Sequence, residues 1–169
     1  ADEDVVKVEG SAEYVLEAVE AARRAGGPKT ETGGILLARL ENVYLFSSEG
    51  PAGEDRRSSI ELSIRAFSQR EASGHGVECG PSLKGFDPSR AGEKAGQIAR
   101  LARNPSAGVE GRYDVIFDPL IVGSLLATWG SMTSAYEVVT HRSIFVEKLG
   151  QRVAPEIVTL RDSPSTYSV

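Results

Sequence analysis

The segment GHGVECG at residues 74–80 brings together His75, Glu78 and Cys79, side-chain types that bind metals or serve as nucleophiles. On an extended strand, His75 and Cys79 would share one face and Glu78 would point to the other. A nucleophilic Cys79–His75 pair would also need a third group to orient the histidine, and nothing in this segment supplies one. The pattern therefore favours a glycine-flanked edge strand with a half-buried thiol over a reactive site.

The sequence predicts no catalytic residue and no metal or cofactor site on this chain. It has two histidines, His75 and His141, and neither belongs to an HExxH-type pair of the kind that holds a hydrolytic zinc. The glycines of KGFDPSRAGEKAG lack the order of a phosphate-binding Walker loop. The serine-rich stretches SSEG and RRSS lack the G-x-S-x-G pattern of a serine hydrolase.

His141 and Arg142 are the candidates for contact with a peptide or a partner protein. They follow a long predicted helix, and arginine binds carboxylates in a bidentate manner. The alternative is an exposed helix end, where positive charge interacts favourably with the helix dipole.

Composition narrows the class of protein. The 169 residues carry a net charge of -5, which argues against nucleic acid as a partner. One cysteine excludes an internal disulfide and a multi-cysteine zinc site. The acidic start ADEDVVKVEG does not resemble a signal peptide. No apolar run approaches the roughly 20 residues that span a bilayer, so we expect no membrane association and a cytoplasmic location.

Hydrophobic spacing predicts an α+β fold with a mixed, largely antiparallel sheet and helices packed on it, because strands follow one another in the middle of the chain. The predicted strands are Val5–Val8, a hairpin turning at Glu41-Asn42, 60–65, 73–81, 113–117 and 158–160. Within 60–65, Ile60, Leu62 and Ile64 alternate with Glu61, Ser63 and Arg65, which predicts one buried and one solvent-exposed face. The first predicted helix has Ser11 as its N-cap and ends at Gly26-Gly27. Further helices start at Asp87-Pro88 and at Asp118-Pro119, the latter extending through Tyr136, and a short one is expected at 144–149. Val15, Leu16, Val19 and Ala22 are the expected buried face of the first helix.

The cluster NPSAGVEGR at 104–112 is the best linker candidate, because Asn, Pro, Ser and Gly concentrate there. It separates a predicted α+β region at 1–107 from a second region at 108–169.

The order of segments resembles the TldD/PmbA family, also called modulator of DNA gyrase. The resemblance is specific in RYDVIFDPLIVGSLLATWGSMTSAYEVVTHRSIFVEKLGQRVAPEIVTLRDSPS and looser in SSIELSIRAFSQRE and GFDPSRAGEKAGQIARLARNP. It implies that residues 1–107 are the family's central region and that 108–169 begin its C-terminal metalloprotease-like domain. It also implies a fragment of a longer chain.

Members of the TldD branch carry HExxxH on the helix after the strand of this second region. Laid onto this chain, the motif positions hold Ala127, Thr128 and Met132, none of which suits a hydrolytic zinc. This resembles the PmbA (TldE) branch, the non-catalytic subunit of a TldD–TldE metalloprotease complex. The resemblance implies a zinc-bearing TldD-like partner, peptide substrates, and roles in peptide maturation such as microcin processing and in antitoxin turnover.

Three hypotheses follow. The chain is a non-catalytic subunit of a peptidase complex, inactive without its zinc-bearing partner. Alternatively, it is a stand-alone binding or assembly module on the same fold, forming a homodimer. The third hypothesis is a cryptic hydrolase that uses Cys79 or a serine near His75.

Overall fold

The computed structural model of the chain describes residues 1–7 and 9–161. Contacts between Cα atoms divide it into two compact units, Ala1–Gly108 and a second that begins at Val109. The first unit contains a 3-10 helix Glu3–Val6, α1 Ser11–Gly26, β1 Glu31–Phe46, β2 Ala52–Gln69, β3 Ala72–Gly80 and α2 Pro88–Leu101. The second contains α3 Pro119–Met132 and α4 Ala135–Val139.

The strands of the first unit form an antiparallel sheet in the order β1-β2-β3. α1 and α2 pack on one face of this sheet, and the other face carries no helix of the unit. The predicted α+β class is confirmed. Alternation along β2 explains the arrangement, because Ile60, Leu62 and Ile64 are buried while Glu61 and Arg65 are exposed.

Small residues let the two helices and the sheet approach closely. The core combines Leu62 and Ile64 of the sheet with alanines of both helices, namely Ala18, Ala22, Ala91, Ala95 and Ala99. Gly76 of β3 lies against α2, where a Cβ would overlap the carbonyl oxygen of Ala91. Gly92 of α2 meets α1 in the same way at the carbonyl oxygen of Ala18. Glycine is therefore required at these positions for lack of space, not for backbone conformation.

Two predictions about the first strands were wrong. Residues Glu3–Val6 form a 3-10 helix because the Asp2 carboxylate caps the Asp4 amide, and Val8 lies outside the described residues. The chain does not turn at Glu41-Asn42. β1 continues through both residues, because Glu41 pairs with Arg57 and Asn42 with Arg56. The turn comes later, at 47–51, where Gly50 has a φ of 100°.

The buried face of α1 also differs from the prediction. The buried residues are Ala18, Ala21, Ala22 and Gly26. Of the predicted face, Ala22 is buried and Val19 half-buried, whereas Val15 and Leu16 are exposed. The helix is turned so that its smallest side chains meet α2, which permits the close approach described above. Its N-cap is Gly10, not Ser11, which is the first helical residue. The predicted end at Gly26-Gly27 is confirmed, with Gly27 in a positive-φ conformation.

In the second unit, the predicted helix start at Asp118-Pro119 is confirmed, as is the equivalent start of α2 at Asp87-Pro88. The long helix is shorter than predicted, because α3 ends at Met132 and Tyr136 belongs to α4. The predicted strands at 113–117 and 158–160 and the predicted helix at 144–149 were wrong, since these described residues form turns and irregular backbone. The part of the chain that the structure describes holds no helix long and apolar enough to cross a bilayer.

Candidate functional site

α3 is the element on which the resemblance to the TldD branch would place the metal motif of that branch. Its start is fixed by Asp118, whose carboxylate accepts a hydrogen bond of 3.0 Å from the Leu120 amide, and by Pro119 in the first turn. The helix is rich in apolar residues around its circumference, and none of its residues is buried within the described structure. A helix that is apolar on every side is typical of a buried position in a larger domain.

The three motif positions on α3 offer no zinc ligand. Ala127 has no donor atom, and the hydroxyl of Thr128 donates a hydrogen bond of 3.0 Å to the backbone carbonyl of Ser124. Met132 carries a thioether, a soft ligand that does not suit hydrolytic zinc. Zinc in enzymes is held by imidazole, carboxylate or thiolate groups, so the residues present do not fit the metal.

The end of α3 is tied to the segment that follows α4. The hydroxyl of Ser143 donates a hydrogen bond of 2.6 Å to the carbonyl oxygen of Met132 and accepts one of 2.9 Å from the Phe145 amide. Ser143 is one of the few buried polar residues of the described chain. This contact fixes where the polypeptide runs after His141 and Arg142.

His141 and Arg142 lie at the end of α4 and are both exposed. His141 has a φ of 56°, the left-handed conformation that commonly ends a helix. The guanidinium of Arg142 lies 5.1 Å from the centre of the Tyr136 ring, and its Nε is 3.7 Å from the Glu137 carboxylate. Arg142 is therefore held against α4 by a cation–π contact and an ion pair, with its remaining donors accessible.

The reactive side chains of β3 are separated by the sheet. As predicted, His75 and Cys79 share one face of β3, which is the open face of the sheet, while Glu78 lies on the helix-covered face with its carboxylate 3.5 Å from Arg90. The thiol of Cys79 is exposed, so the predicted half-buried position was wrong. His75 and Cys79 are nevertheless four residues apart on an extended strand, about 13 Å along its axis. They cannot form a nucleophilic pair, so this part of the cryptic-hydrolase hypothesis was wrong.

The partner of His75 is Ser63, which sequence reasoning missed. Its hydroxyl lies 2.9 Å from Nε2 of His75 across the β2–β3 ladder. Alternation placed Ser63 on the wet face of β2, but the register that joins it to β3 depends on a bulge near Phe67 and Gln69 that no sequence pattern signals. Both residues lie on the open face, and within the described structure no carboxylate bonds to the other ring nitrogen of His75.

Clusters of three or more His, Cys, Asp or Glu side chains that could hold a metal ion are absent from the described residues. A cavity of about 550 Å³ lies beside β1 on the helix-covered side of the sheet. It is lined in part by Val5, Tyr14, Val15, Gly34 and Leu36. At its rim, the Asp4 carboxylate lies 2.6 Å from Lys7 and raises the pKa of that lysine by hydrogen bonding and by charge.

Comparison with known proteins identifies both units. Residues 2–103 match the family model of the PmbA/TldA metallopeptidase central domain, and residues 110–168 match that of the PmbA/TldA metallopeptidase C-terminal domain. A protein named "Metalloprotease" from Methanothermobacter thermautotrophicus is 34% identical over 77 residues. The aligned part is 45% of this chain and 16% of that relative. No solved structure matches significantly.

Proposed function

Because this chain belongs to the TldD/PmbA family of metallopeptidases, we propose that it is part of a non-catalytic, TldE/PmbA-like subunit of a peptidase complex. In this complex a TldD-like partner holds the zinc and cleaves peptides. The aligned part of the chain spans about a sixth of the length of its metalloprotease relative. The peptidase activity of the whole complex therefore depends on residues outside this chain and is part of the proposal.

The observation that carries the proposal is the side-chain chemistry of α3. Hydrolytic zinc needs at least two good ligands and a base that activates water. The motif positions hold a methyl group, a hydroxyl bonded to the Ser124 carbonyl, and a thioether. Loss of one ligand would weaken a site, whereas loss of both histidines and the glutamate removes ligands and base together.

The backbone of α3 supports the same conclusion. Positions 127 and 132 are five residues apart, so they point about 140° apart around a regular α-helix. Two ligands at this spacing converge on one ion only if the helix is locally widened, as in a π-bulge. α3 is α-helical from Pro119 to Met132. Both the side chains and the helix geometry therefore differ from those expected for a metal site of the HExxxH type.

The remaining roles are assigned by exposure and charge. His141 and Arg142 present cationic or hydrogen-bonding groups at one end of α4, and we assign them to contact with the peptide or with the zinc-bearing subunit. We place the complex in the cytoplasm, away from membranes, and do not assign it a nucleic-acid partner, because the net charge is -5.

Metal content tests the proposal directly. The chain is purified alone and after mixing with a TldD-like subunit, and zinc is measured by elemental analysis together with peptide cleavage. We expect zinc and cleavage only in the mixture, with the zinc lost when the partner's motif histidines are replaced. Stoichiometric zinc on this chain alone would overturn the proposal. Failure to bind the TldD-like subunit at all would favour the stand-alone assembly module.

A further inference from the structure

β1 is an unusually long strand at the edge of the sheet. It runs for 16 residues, Glu31–Phe46, and its position in the order β1-β2-β3 leaves one side without a neighbouring strand of the described chain. A long edge strand with apolar side chains presents backbone donors and acceptors to any strand that can pair with it. Proteins therefore shield such edges or use them for assembly.

The far half of β1 is covered least. β3 pairs with β2 only from Ile60 to Gln69, so residues 39–46 and 52–59 form a two-stranded ribbon beyond the third strand. On this ribbon Tyr44 is 63% exposed and Phe46 is 78% exposed. The 3-10 helix contacts the start of this ribbon, where Glu3 pairs with Arg56 at 2.6 Å. Tyr44 and Phe46 lie beyond this contact, and exposed aromatic residues next to one another mark an interaction surface.

The sequence of β1 is complementary to itself. Its open face carries Ile35, Leu37, Arg39, Glu41, Val43 and Leu45 in alternation, two apolar residues on either side of an opposite-charge pair. We infer that β1 pairs antiparallel with β1 of a second copy of this chain, in the register where Leu40 faces Leu40. Arg39 of each copy then faces Glu41 of the other, Leu37 faces Val43, and Ile35 faces Leu45.

Neighbouring registers are much poorer, which makes the complementarity specific. Moving the symmetry centre from Leu40 to residue 39 places Arg39 opposite itself, and moving it to residue 41 places Glu41 opposite itself. Like charges directly opposite one another destabilise a strand pair. A further step in either direction sets Arg39 and Glu41 against Leu, Ile or Val. Every one of these shifts loses the ion pairs.

The residues on the helix-covered face of β1 also complement one another in this register. In the Leu40-centred register, Tyr44 of one copy lies opposite Leu36 of the other, and Phe46 lies opposite Gly34. Gly34 and Leu36 line the 550 Å³ cavity together with Val5, Tyr14 and Val15. The exposed aromatic side chains of the ribbon thus meet a cavity at the position that the charge pattern selects independently. Each copy supplies one ribbon and one cavity, as a two-fold symmetric interface requires.

This pairing would join two sheets into one of six strands in the order β3-β2-β1-β1-β2-β3. A two-fold axis perpendicular to the sheet keeps both helical layers on the same side. A second copy is favoured over other partners because the complement of each β1 residue lies in β1 itself. The inference depends on the edge strand alone and stands whether or not the chain lacks zinc.

Charge reversal tests the register. We expect the chain to be a dimer by sedimentation equilibrium. Arg39→Glu places Glu opposite Glu twice in the dimer, and Glu41→Arg places Arg opposite Arg twice, so each should weaken dimerisation about tenfold. Mixing the two variants restores both opposite-charge pairs and should restore the dimer as a heterodimer. Arg65→Glu, on the same face but one strand inward, is the matched control and should leave dimerisation unchanged.

Cross-linking tests the symmetry centre. In a Cys79→Ser background, Leu40→Cys should form a disulfide-linked dimer, because residue 40 faces itself. Asn42→Cys is the control, since its two copies would be about 13 Å apart along the strands and should not cross-link. A wild-type chain that is monomeric on its own would overturn the inference, even if it pairs with a zinc-bearing subunit. A dimer insensitive to charge reversal and not cross-linked at residue 40 would also overturn it.

Discussion

The hydroxyl of Ser143 lies 2.6 Å from the carbonyl oxygen of Met132, the last residue of α3. The final carbonyls of a helix have no partner within the helix, and this side chain satisfies one of them. The contact joins the position where a metal ligand would stand in the TldD branch to the segment after His141 and Arg142. It therefore fixes the local path of the chain between the two parts of the candidate site.

Ser143→Ala should loosen this connection. The substitution removes one hydrogen bond to Met132 and one from the Phe145 amide, which together contribute roughly 1–2 kcal/mol. We expect faster hydrogen exchange at the Phe145 amide, measured by NMR or mass spectrometry. Ser131→Ala is the control, because its exposed hydroxyl bonds only to the Thr128 carbonyl of its own helix. Equal protection of Phe145 in both variants would contradict the role assigned to Ser143.

Gly76→Ala should destabilise the first unit. Its new methyl group would overlap the carbonyl oxygen of Ala91 in α2, and overpacking of this kind costs about 1–3 kcal/mol. Gly33→Ala is the matched control on β1, where nothing lies within 4 Å of an added Cβ. The comparison is made by urea denaturation. Similar free energies of unfolding for the two variants would show that β3 and α2 are less closely packed than described.

Metal removal should leave this chain unchanged. A metal bound to the native state stabilises it by mass action, so a chelator lowers the melting temperature of a metalloprotein. With no zinc ligands at positions 127, 128 and 132, we expect the same melting temperature with and without EDTA. The TldD-like subunit in the same buffer serves as the positive control. A clear decrease for this chain alone would indicate a metal site elsewhere.

The cryptic-hydrolase hypothesis now rests on Ser63 and His75. Their hydrogen bond of 2.9 Å is the arrangement of a nucleophile and its base, but an orienting acid is missing from the described residues around them. We expect Ser63→Ala and Cys79→Ser to leave peptide cleavage by the complex within about twofold of wild type, a change of roughly 0.4 kcal/mol in the activation barrier. A loss of a hundredfold or more in Ser63→Ala, with the fold intact by circular dichroism, would establish a serine mechanism.

Local chemistry predicted the helix starts well. Asp87-Pro88 and Asp118-Pro119 each combine a side-chain cap with a fixed backbone angle, and both helices begin where this pair predicts. The alternation of β2 likewise identified its buried face, since a period of two depends only on which side of the sheet is covered.

Predictions failed where distant residues decide the structure. Glu41 and Asn42 have the composition of a turn, yet pairing with Arg57 and Arg56 keeps them in the strand. The face of α1 was misjudged because close packing against Gly92 favours alanine over the larger Val15 and Leu16. The Ser63–His75 contact could not be predicted, since it requires the register of two strands. The residue types at the motif positions of α3, by contrast, can be read from the sequence without knowing how any strands pair.

Arg142 offers the sharpest test of the proposed partner contact. The cation–π contact with exposed Tyr136 and the ion pair with half-buried Glu137 each contribute at most about 1 kcal/mol to stability. Arg142→Ala should therefore change the unfolding free energy little. If the guanidinium also binds a carboxylate of the peptide or the zinc-bearing subunit, the substitution should raise the KM or the dissociation constant about tenfold.

Arg142→Lys separates the two effects, because lysine keeps the charge but loses the bidentate geometry of the guanidinium. We expect it to recover only part of the binding. Arg24→Ala is the matched control, since Arg24 forms a similar exposed ion pair with Glu20 at 3.8 Å in the first unit. Binding would be measured by calorimetry with the TldD-like subunit and KM by peptide cleavage. Unchanged values in Arg142→Ala would restrict this arginine to its contacts with α4.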